Sequence, residues 1–374
     1  MTQSTTLRAP ENQGVTFVEL FFDLVFVFAV TKVTAMVAHD LTGVGVLRAV
    51  LVFWMIWWAW TQFTWALNPA DTNHPVVRIG TLVATGITFL MALAVEDAFG
   101  DGGLRFVVPY ILVRLVGLGL YARVTADRAE QLRAVRVFTA ASLAGMAVAL
   151  IGGFLDPAIR FWVWLAVIVL DFAAAAIGAR REGWGLNAAH FTERHGLFVI
   201  IALGESLIAA GVAASTASRG TALVAVGSVA VVCLLWWSYF GWLKDRLEHA
   251  MAGQTGAAQS RFARDVYSLI HFPLIAGVIG VAVGIEEMVA HPFEAMHGEA
   301  VSAFAGGIVL FVGSSALACQ RALHRALVPR LALMVLLVAA YALLGHPAPT
   351  TTLAVAVAIL MVLAVVEARG DGAR

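Results

Sequence analysis

Twelve long apolar segments, separated by short polar breaks, dominate this chain of 374 residues. A helix needs about 20 apolar residues to cross the hydrocarbon core of a bilayer. Windows of that length fall at 17–38, 43–66, 76–96, 104–122, 132–152, 158–179, 195–214, 221–242, 266–285, 301–318, 328–345 and 349–367. Charged residues make up only 13% of the chain, against about 25% in soluble domains. The sequence predicts an all-α polytopic membrane bundle of about twelve transmembrane helices, with the lipid bilayer as its solvent.

The distribution of lysine and arginine predicts the orientation in the membrane, because cytoplasmic loops are enriched in both. With a cytoplasmic N-terminus, four of these residues fall outside: Arg48, Arg105, Arg160 and Arg219. Eighteen fall inside: Arg8, Arg78, Arg123, Arg128, Arg133, Arg136, Arg180, Arg181, Arg194, Lys244, Arg246, Arg261, Arg264, Arg321, Arg325, Arg330, Arg369 and Arg374. We therefore expect cytoplasmic tails at residues 1–16 and 369–374.

The segments suggest a repeat of two parallel six-helix halves, residues 17–185 and 186–368. FWMIWWAWTQFTW (53–65) in the second segment has a counterpart in CLLWWSYFGW (233–242) in the eighth. ALAVEDAF (92–99) similarly matches VAVGIEEMV (281–289). Many transporters consist of such repeats and handle their substrate near the midplane. The alternative is that tryptophan clusters and acidic helix ends are common features of membrane helices.

Composition and motifs narrow the function classes. The formal net charge is zero, and no basic patch indicates nucleic acid as a partner. Cys233 and Cys319 fall in or beside apolar spans and predict neither a disulfide framework nor a metal site. P-loop, HExxH and CxxC patterns are missing, and GESLIAAG (204–211) has the wrong spacing for a nucleophile elbow. We assign no catalytic residue, cofactor or metal from the sequence.

Carboxylates inside the apolar segments are the strongest functional signal. A charge at the centre of a membrane helix costs about 2.5–3.5 kcal/mol and usually faces a protein interior or a watery cavity. Glu205 lies deep in the seventh segment, while Glu19 and Asp23, four residues apart, share one face of the first. All three are candidates for a polar pathway. Glu205 could instead belong to a structural ion pair, and Glu19 and Asp23 could simply complement a helix dipole.

Two further polar features lie within spans. Arg114 and Asp171 have opposite charges, and pairing between them, or of Arg114 with Glu205, would lower the desolvation penalty of both partners. We favour a structural ion pair over substrate contact here. His271 stands beside Pro273, whose kink would often border a cavity. A lone membrane histidine is nevertheless more often only hydrogen-bonded. Gly280 and Gly284 have the spacing of a helix-packing motif.

The stretches FVELFFDLVFVFAV (17–30) and HFTERHGLFVIIALGES (190–206) resemble the bacterial low temperature requirement A (LtrA) family, and similarity extends over nearly the whole chain. The resemblance implies a bacterial inner-membrane protein. It marks Glu19, Asp23, Glu193, Arg194, His195, Gly204, Glu205 and Ser206 as motif positions. We expect Glu193, Arg194 and His195 to form an interfacial cluster at the start of the seventh helix. The family name comes from a cold-growth phenotype, and the resemblance implies no substrate.

The buried charges and the apparent repeat favour transport or conduction of a small solute or cation, with proton or ion coupling. Glu205 and Asp23, assisted by Glu19, would carry the polar pathway, and Arg114 and Asp171 would organise the helices around it. A regulatory or low-temperature adaptation protein that moves nothing is the alternative. An intramembrane enzyme using Glu205 and His271 is the third hypothesis.

Overall fold

The structure is a computed structural model that describes residues 7–10, 13–179, 184–214, 219–324 and 327–371. These ranges form twelve helices and no β-strand. The first seven are α1 Phe17–His39, α2 Gly43–Leu67, α3 Pro75–Leu93, α4 Gly103–Val124, α5 Ala129–Gly153, α6 Pro157–Ala179 and α7 Ala188–Ala214. Helix α8 comprises Arg219–Ser238, a π-helical stretch Tyr239–Leu243 and Lys244–Ala252. Helix α9 comprises Gly256–Phe262, a π-helical stretch Ala263–Ile270 and His271–Ala290; α10 Gly298–Leu323, α11 Val328–Leu344 and α12 Pro349–Asp371 follow.

The predicted polytopic helical bundle is confirmed. Within the described ranges, ten helices are long and apolar enough to cross a membrane. Helix α11 is shorter, at 17 residues, and α7 carries Glu193, Arg194 and Glu205 along its 27 residues. Of the predicted cytoplasmic charges, Arg180, Arg181, Arg325 and Arg374 lie outside the described residues.

Three helices extend well beyond their predicted limits. Helix α7 begins at Ala188 rather than at residue 195, α8 continues to Ala252 rather than 242, and α9 begins at Gly256 rather than 266. The added turns contain charged residues, which lower the hydropathy of a window without preventing a helix. The predicted helix ends were wrong here because a hydropathy window ends where charged residues begin, whereas the backbone stays helical through them.

The chain forms two compact units. The first contains Met1–Met36, Gly43–Phe198 and Met251–Ser268; the second contains Val37–Thr42, Val199–Ala250 and Leu269–Arg374. In the first unit, every residue of α2 from 51 to 64 is buried. A helix that is apolar on all sides belongs in an interior, so α2 is the central helix of that unit. The predicted repeat of two six-helix halves stays a prediction.

The π-helical stretch in α8 follows from a four-residue repeat of buried side chains. Leu235, Tyr239, Leu243, Leu247 and Met251 are all fully buried. An α-helix has 3.6 residues per turn, so a strict four-residue interval would drift steadily around its axis. A π-turn takes up an extra residue and offsets part of that drift. The repeated apolar residues can therefore share one buried face.

Within the second unit, the part of α9 from Leu269 onward packs against α10 with the two backbones in close approach. A Cβ atom added to Gly277 would lie 2.6 Å from the carbonyl oxygen of Gly307, and one added to Gly280 would lie 2.7 Å from that of Ala303. Only glycine permits such approaches, as in small-residue contacts between membrane helices. The predicted packing role of Gly280 and Gly284 is confirmed, since a Cβ on Gly284 would come within 2.5 Å of Phe304.

Candidate functional site

Four ionisable side chains of the first unit meet in its interior: Glu19, Asp23, His190 and Arg194, which we call the acid cluster. Glu19 and Asp23 lie one turn apart on α1, and His190 and Arg194 lie one turn apart on α7. Each helix therefore presents two of them on one face. All four are at most 2% exposed. The prediction that Glu19 and Asp23 share a face is confirmed.

Asp23 is held by two donors. Arg194 Nη2 donates a hydrogen bond to Asp23 Oδ1, and the indole Nε1 of Trp60 donates to the same oxygen at 2.7 Å. The Arg194 guanidinium also lies over the Trp60 ring, 5.7 Å from its centroid, where the face of the ring attracts a cation. Helix α2 thus supplies one aromatic side chain that contacts both members of the ion pair.

Glu19 has a wider set of partners. Its Oε1 lies 3.0 Å from His190 Nε2 and 3.6 Å from Arg194 Nη1. Its Oε2 accepts hydrogen bonds from the Thr16 backbone N–H at 3.0 Å and from the Thr16 and Thr72 hydroxyls at 2.9 and 3.3 Å. The Thr16 contacts resemble a capping arrangement at the start of α1. Glu19 therefore combines a helix-terminal role with membership of the cluster.

The acid cluster is one positive charge short of neutrality unless His190 is protonated. Two carboxylates face a single guanidinium, and burial makes an uncompensated charge expensive. Asp23 Oδ2 and Arg194 Nε are buried without a hydrogen-bond partner among the described residues. Unsatisfied buried polar atoms in native proteins commonly mark strain, hydration or ion binding. The arrangement can accept one proton or one small cation.

A cavity of about 350 Å³, which we call the entrance cavity, lies next to the acid cluster. Arg8, Asn68, Arg128, Gln131 and Asn187 are among its lining residues. Asn68 Nδ2 lies 3.3 Å from His190 Nδ1, so one side chain separates the imidazole from the cavity. The loops that form this cavity belong to the predicted cytoplasmic side.

A second polar network lies around Arg114. Its Nη1 is 3.0 Å from Asp171 Oδ1 and also bonds to the Tyr110 hydroxyl. Its Nε donates to Gln62 Oε1 at 2.8 Å, while Trp54 Nε1 donates to Asp171 Oδ2 at 3.4 Å. Arg114 and Asp171 are fully buried. The structure thus pairs Arg114 with Asp171, the first of the two predicted pairings.

A small cavity of about 50 Å³, the inner cavity, adjoins this network through Gln62. Its wall is largely aromatic, with Trp58, Trp65, Tyr121, Phe138 and Trp184, together with Thr61, Gln62, Ala175, Arg264 and Ser268. A water molecule needs roughly 10–15 Å³ of such space, so the inner cavity has room for a few. The Arg114 network is therefore not sealed on all sides by packed side chains.

The remaining predicted site residues are not members of the acid cluster. Glu205 belongs to the second unit, is half-buried, and has no ion pair or hydrogen bond with a described residue. His271 is fully buried, and its Nε2 lies 2.8 Å from the Tyr239 hydroxyl. Gly204 has open space where a Cβ would lie. Ser206 Oγ is buried without a partner in the described part of the chain.

The predicted interfacial cluster at the start of the seventh helix is wrong for two of its three members. Because α7 begins at Ala188, Arg194 and His195 lie in its second turn and are at most 1% exposed. Only Glu193 is exposed, and it accepts a hydrogen bond from the Val15 backbone at 3.2 Å. Arg194 is consequently an internal ion-pair partner and not a loop charge.

Arg330 is a second case of this kind, in the second unit. The sequence predicts it to be a cytoplasmic loop charge, yet it is 1% exposed and its Nε donates to Glu367 Oε1 at 2.6 Å. Its Nη2 donates to the Ser238 carbonyl at 3.0 Å, next to the π-helical stretch of α8. Without Arg194 and Arg330, lysine and arginine are still more numerous in the predicted cytoplasmic segments than in the predicted outer ones.

Sequence reasoning missed several members of these sites. His190 carries a weak signal, since it stands four residues before Arg194 and so shares its helix face. Asn68, at the end of α2, reads as an ordinary helix-terminal residue. Trp60 and Gln62 lie in an apolar run that is typical of any buried membrane helix. Among the described residues, no three or more His, Cys, Asp or Glu side chains form a group that could hold a metal ion.

The fold and the buried ion pairs define a polytopic α-helical integral membrane protein. Residues 14–365 match the bacterial low temperature requirement A protein (LtrA) family. The chain is also 31% identical over 311 residues to the uncharacterised protein RA0937 of Rhizobium meliloti (strain 1021), covering 80% of this chain and 75% of that protein. The chain belongs to the LtrA family.

Proposed function

We propose that this protein transports or conducts a small solute or cation across the bacterial inner membrane, with proton or ion coupling through the acid cluster. The observation that carries the proposal is the charge balance of Glu19, Asp23 and Arg194, buried beside a titratable His190. Ionisable groups inside membrane segments usually mark ion pathways or proton relays. The entrance cavity, separated from His190 by Asn68, supports access from one side.

Flux measurements in proteoliposomes test this proposal. Purified protein would be reconstituted with a pH-sensitive dye inside, and a potassium diffusion potential would drive proton movement. We expect wild-type protein to show flux above that of empty liposomes. Asp23→Asn should reduce this flux at least tenfold, because the variant removes the negative charge that a passing proton or cation would neutralise. Glu193→Gln is the matched control, since Glu193 neighbours Arg194 but is exposed.

A wild-type flux equal to that of empty liposomes, for protons, sodium and potassium alike, would contradict the proposal. The alternative is then a membrane protein with a structural or regulatory role in low-temperature adaptation. One observation favours that alternative: Arg194, Arg114 and Arg330 each already have an acidic partner. Glu205→Gln provides a separate test, because Glu205 has no such partner among the described residues. We expect this variant to change flux or its pH dependence.

A further inference from the structure

We propose that His190 is the group that loads a proton into the acid cluster, and that Asn68 holds it in one neutral tautomer until that proton arrives. The inference deepens the proposed function, because it makes the proton the coupling ion and the entrance cavity its source. A role of His190 in coupling rests on the proposed transport function. The binding of a proton by His190 is independent of that function.

The orientation of the Asn68 amide is fixed by the backbone. The Asn187 backbone N–H donates to Asn68 Oδ1 at 2.8 Å, and Asn68 Nδ2 donates to the Asn187 carbonyl at 3.1 Å. A backbone N–H can only donate and a carbonyl can only accept. The amide therefore cannot be flipped, and the atom that faces His190 is its NH2 group.

This orientation settles the state of His190. Because Asn68 Nδ2 donates at 3.3 Å, His190 Nδ1 must present its lone pair. The single proton of a neutral imidazole is then on Nε2, which donates to Glu19 Oε2 at 3.3 Å. His190 is neutral in this arrangement, and the acid cluster keeps its unbalanced negative charge.

Proton entry changes only a few bonds. A proton from water in the entrance cavity binds the lone pair of His190 Nδ1, and the hydrogen bond from Asn68 breaks. His190 becomes an imidazolium that faces Glu19 and balances the cluster. Transfer of the Nε2 proton to the Glu19 carboxylate would leave both groups neutral, with the imidazole proton on Nδ1. Asn68 opposes that tautomer, since its Oδ1 is occupied by the Asn187 N–H.

The charged groups around His190 agree with this assignment. Glu19 faces it from α1, and Arg194 lies one turn further along α7. Arg8 and Arg128 line the entrance cavity, and Arg8 is paired with Asp127 at 2.8 Å. A carboxylate within hydrogen-bond distance favours imidazolium, whereas nearby guanidinium groups oppose it.

Solid-state NMR of [15N]histidine-labelled protein in lipid bilayers tests the inference. The chain has ten histidines, so the His190 signal would be assigned by its loss in His190→Gln. We expect wild-type protein at pH 8 to show His190 neutral with its proton on Nε2. In Asn68→Asp, a carboxylate replaces the donor, and the affinity of His190 for a proton should rise roughly tenfold or more. Asn73→Asp, in the same α2–α3 connection, is the matched control.

The outcomes separate the two proposals. A wild-type His190 that is charged at pH 8, or protonated on Nδ1, would overturn the inference. So would an Asn68→Asp titration that coincides with that of the control. Should Asn68→Asp fail to fold, Glu19→Gln serves instead and should lower the proton affinity of His190. If the variants change the proton affinity of His190 as expected but wild-type protein shows no proteoliposome flux, the transport function is contradicted and proton binding by His190 is not.

Discussion

At the residue scale, the effect of a buried charged side chain on the stability of this protein depends on the groups that it contacts. Arg114 is fully buried and makes contacts with Asp171, Gln62 and Tyr110. Its Nη2 has no hydrogen-bond partner among the described residues. Losing its one carboxylate would therefore leave a buried cation with only neutral partners. Removing one member of a buried ion pair is commonly far more harmful than removing both.

Asp171→Asn should lower the free energy of unfolding by about 3–5 kcal/mol, because Arg114 loses its charge partner. The double variant Asp171→Asn/Arg114→Gln should recover part of that loss. Unfolding of purified protein by dodecyl sulfate in mixed micelles, followed by circular dichroism, gives both values. Asp101→Asn, in an exposed turn, is the control and should stay within about 0.5 kcal/mol. Equal losses in the single and double variants would argue against a charge-pair origin.

The residue scale also shows where sequence reasoning reached its limit. The presence of Asp23 and Arg114 inside apolar spans was readable, because charges are rare in such spans. Their partners could not all be predicted from the sequence, because Asp23 contacts Arg194, which lies 171 residues away in the chain. That contact depends on which helices are neighbours and on their rotation. Asn68 was missed for the same reason, since its role comes from Asn187, 119 residues away.

At the element scale, the helices themselves were largely predictable, because twenty apolar residues in lipid leave the backbone few alternatives to a helix. All twelve predicted segments correspond to helices. The π-helical stretches were not predicted, although the four-residue repeat from Leu235 to Met251 contained the signal. Close helix contacts were predictable only where a glycine spacing stood out, as at Gly280 and Gly284.

The contact between α9 and α10 gives a sharp test of close packing. Gly306 and Gly307 are adjacent, but a Cβ on Gly307 would lie 2.6 Å from the Gly277 carbonyl oxygen, whereas one on Gly306 has open space. Gly307→Ala should lower the free energy of unfolding by roughly 1–3 kcal/mol through overpacking. Gly306→Ala should be neutral or slightly stabilising, because alanine favours a helix. Thermal aggregation in detergent, read by fluorescence-detected size exclusion, compares the two. A reversed order would mean that these helices do not approach so closely.

At the scale of the whole molecule, membrane orientation is still a prediction from the positions of lysine and arginine. Ala126 lies in a predicted cytoplasmic loop and Asp101 in a predicted outer loop, and both are exposed. Orientation matters for the proposed function because it decides on which side the entrance cavity opens. A cytoplasmic opening would draw protons from the inside of the cell.

Cysteine labelling checks this orientation. In a background of Cys233→Ala/Cys319→Ala, which removes both native cysteines, Asp101→Cys should react with a membrane-impermeant maleimide on intact spheroplasts. Ala126→Cys should react only after permeabilisation, since the positive-inside bias places its loop in the cytoplasm. The opposite labelling pattern would invert the topology and move the entrance cavity to the outer face.

The long separation between Asp23 and Arg194 also has a consequence for biosynthesis. Arg194 is added to the growing chain 171 residues after Asp23. At about 5–20 residues per second, that delay is roughly 10–30 s. During this time α1, with a mean hydropathy of 2.0 over its most apolar stretch, must be accommodated without Arg194, the residue that pairs with Asp23 in the folded protein. The nascent chain therefore depends on the apolar residues of α1, or on protonation of its acids, until α7 is inserted.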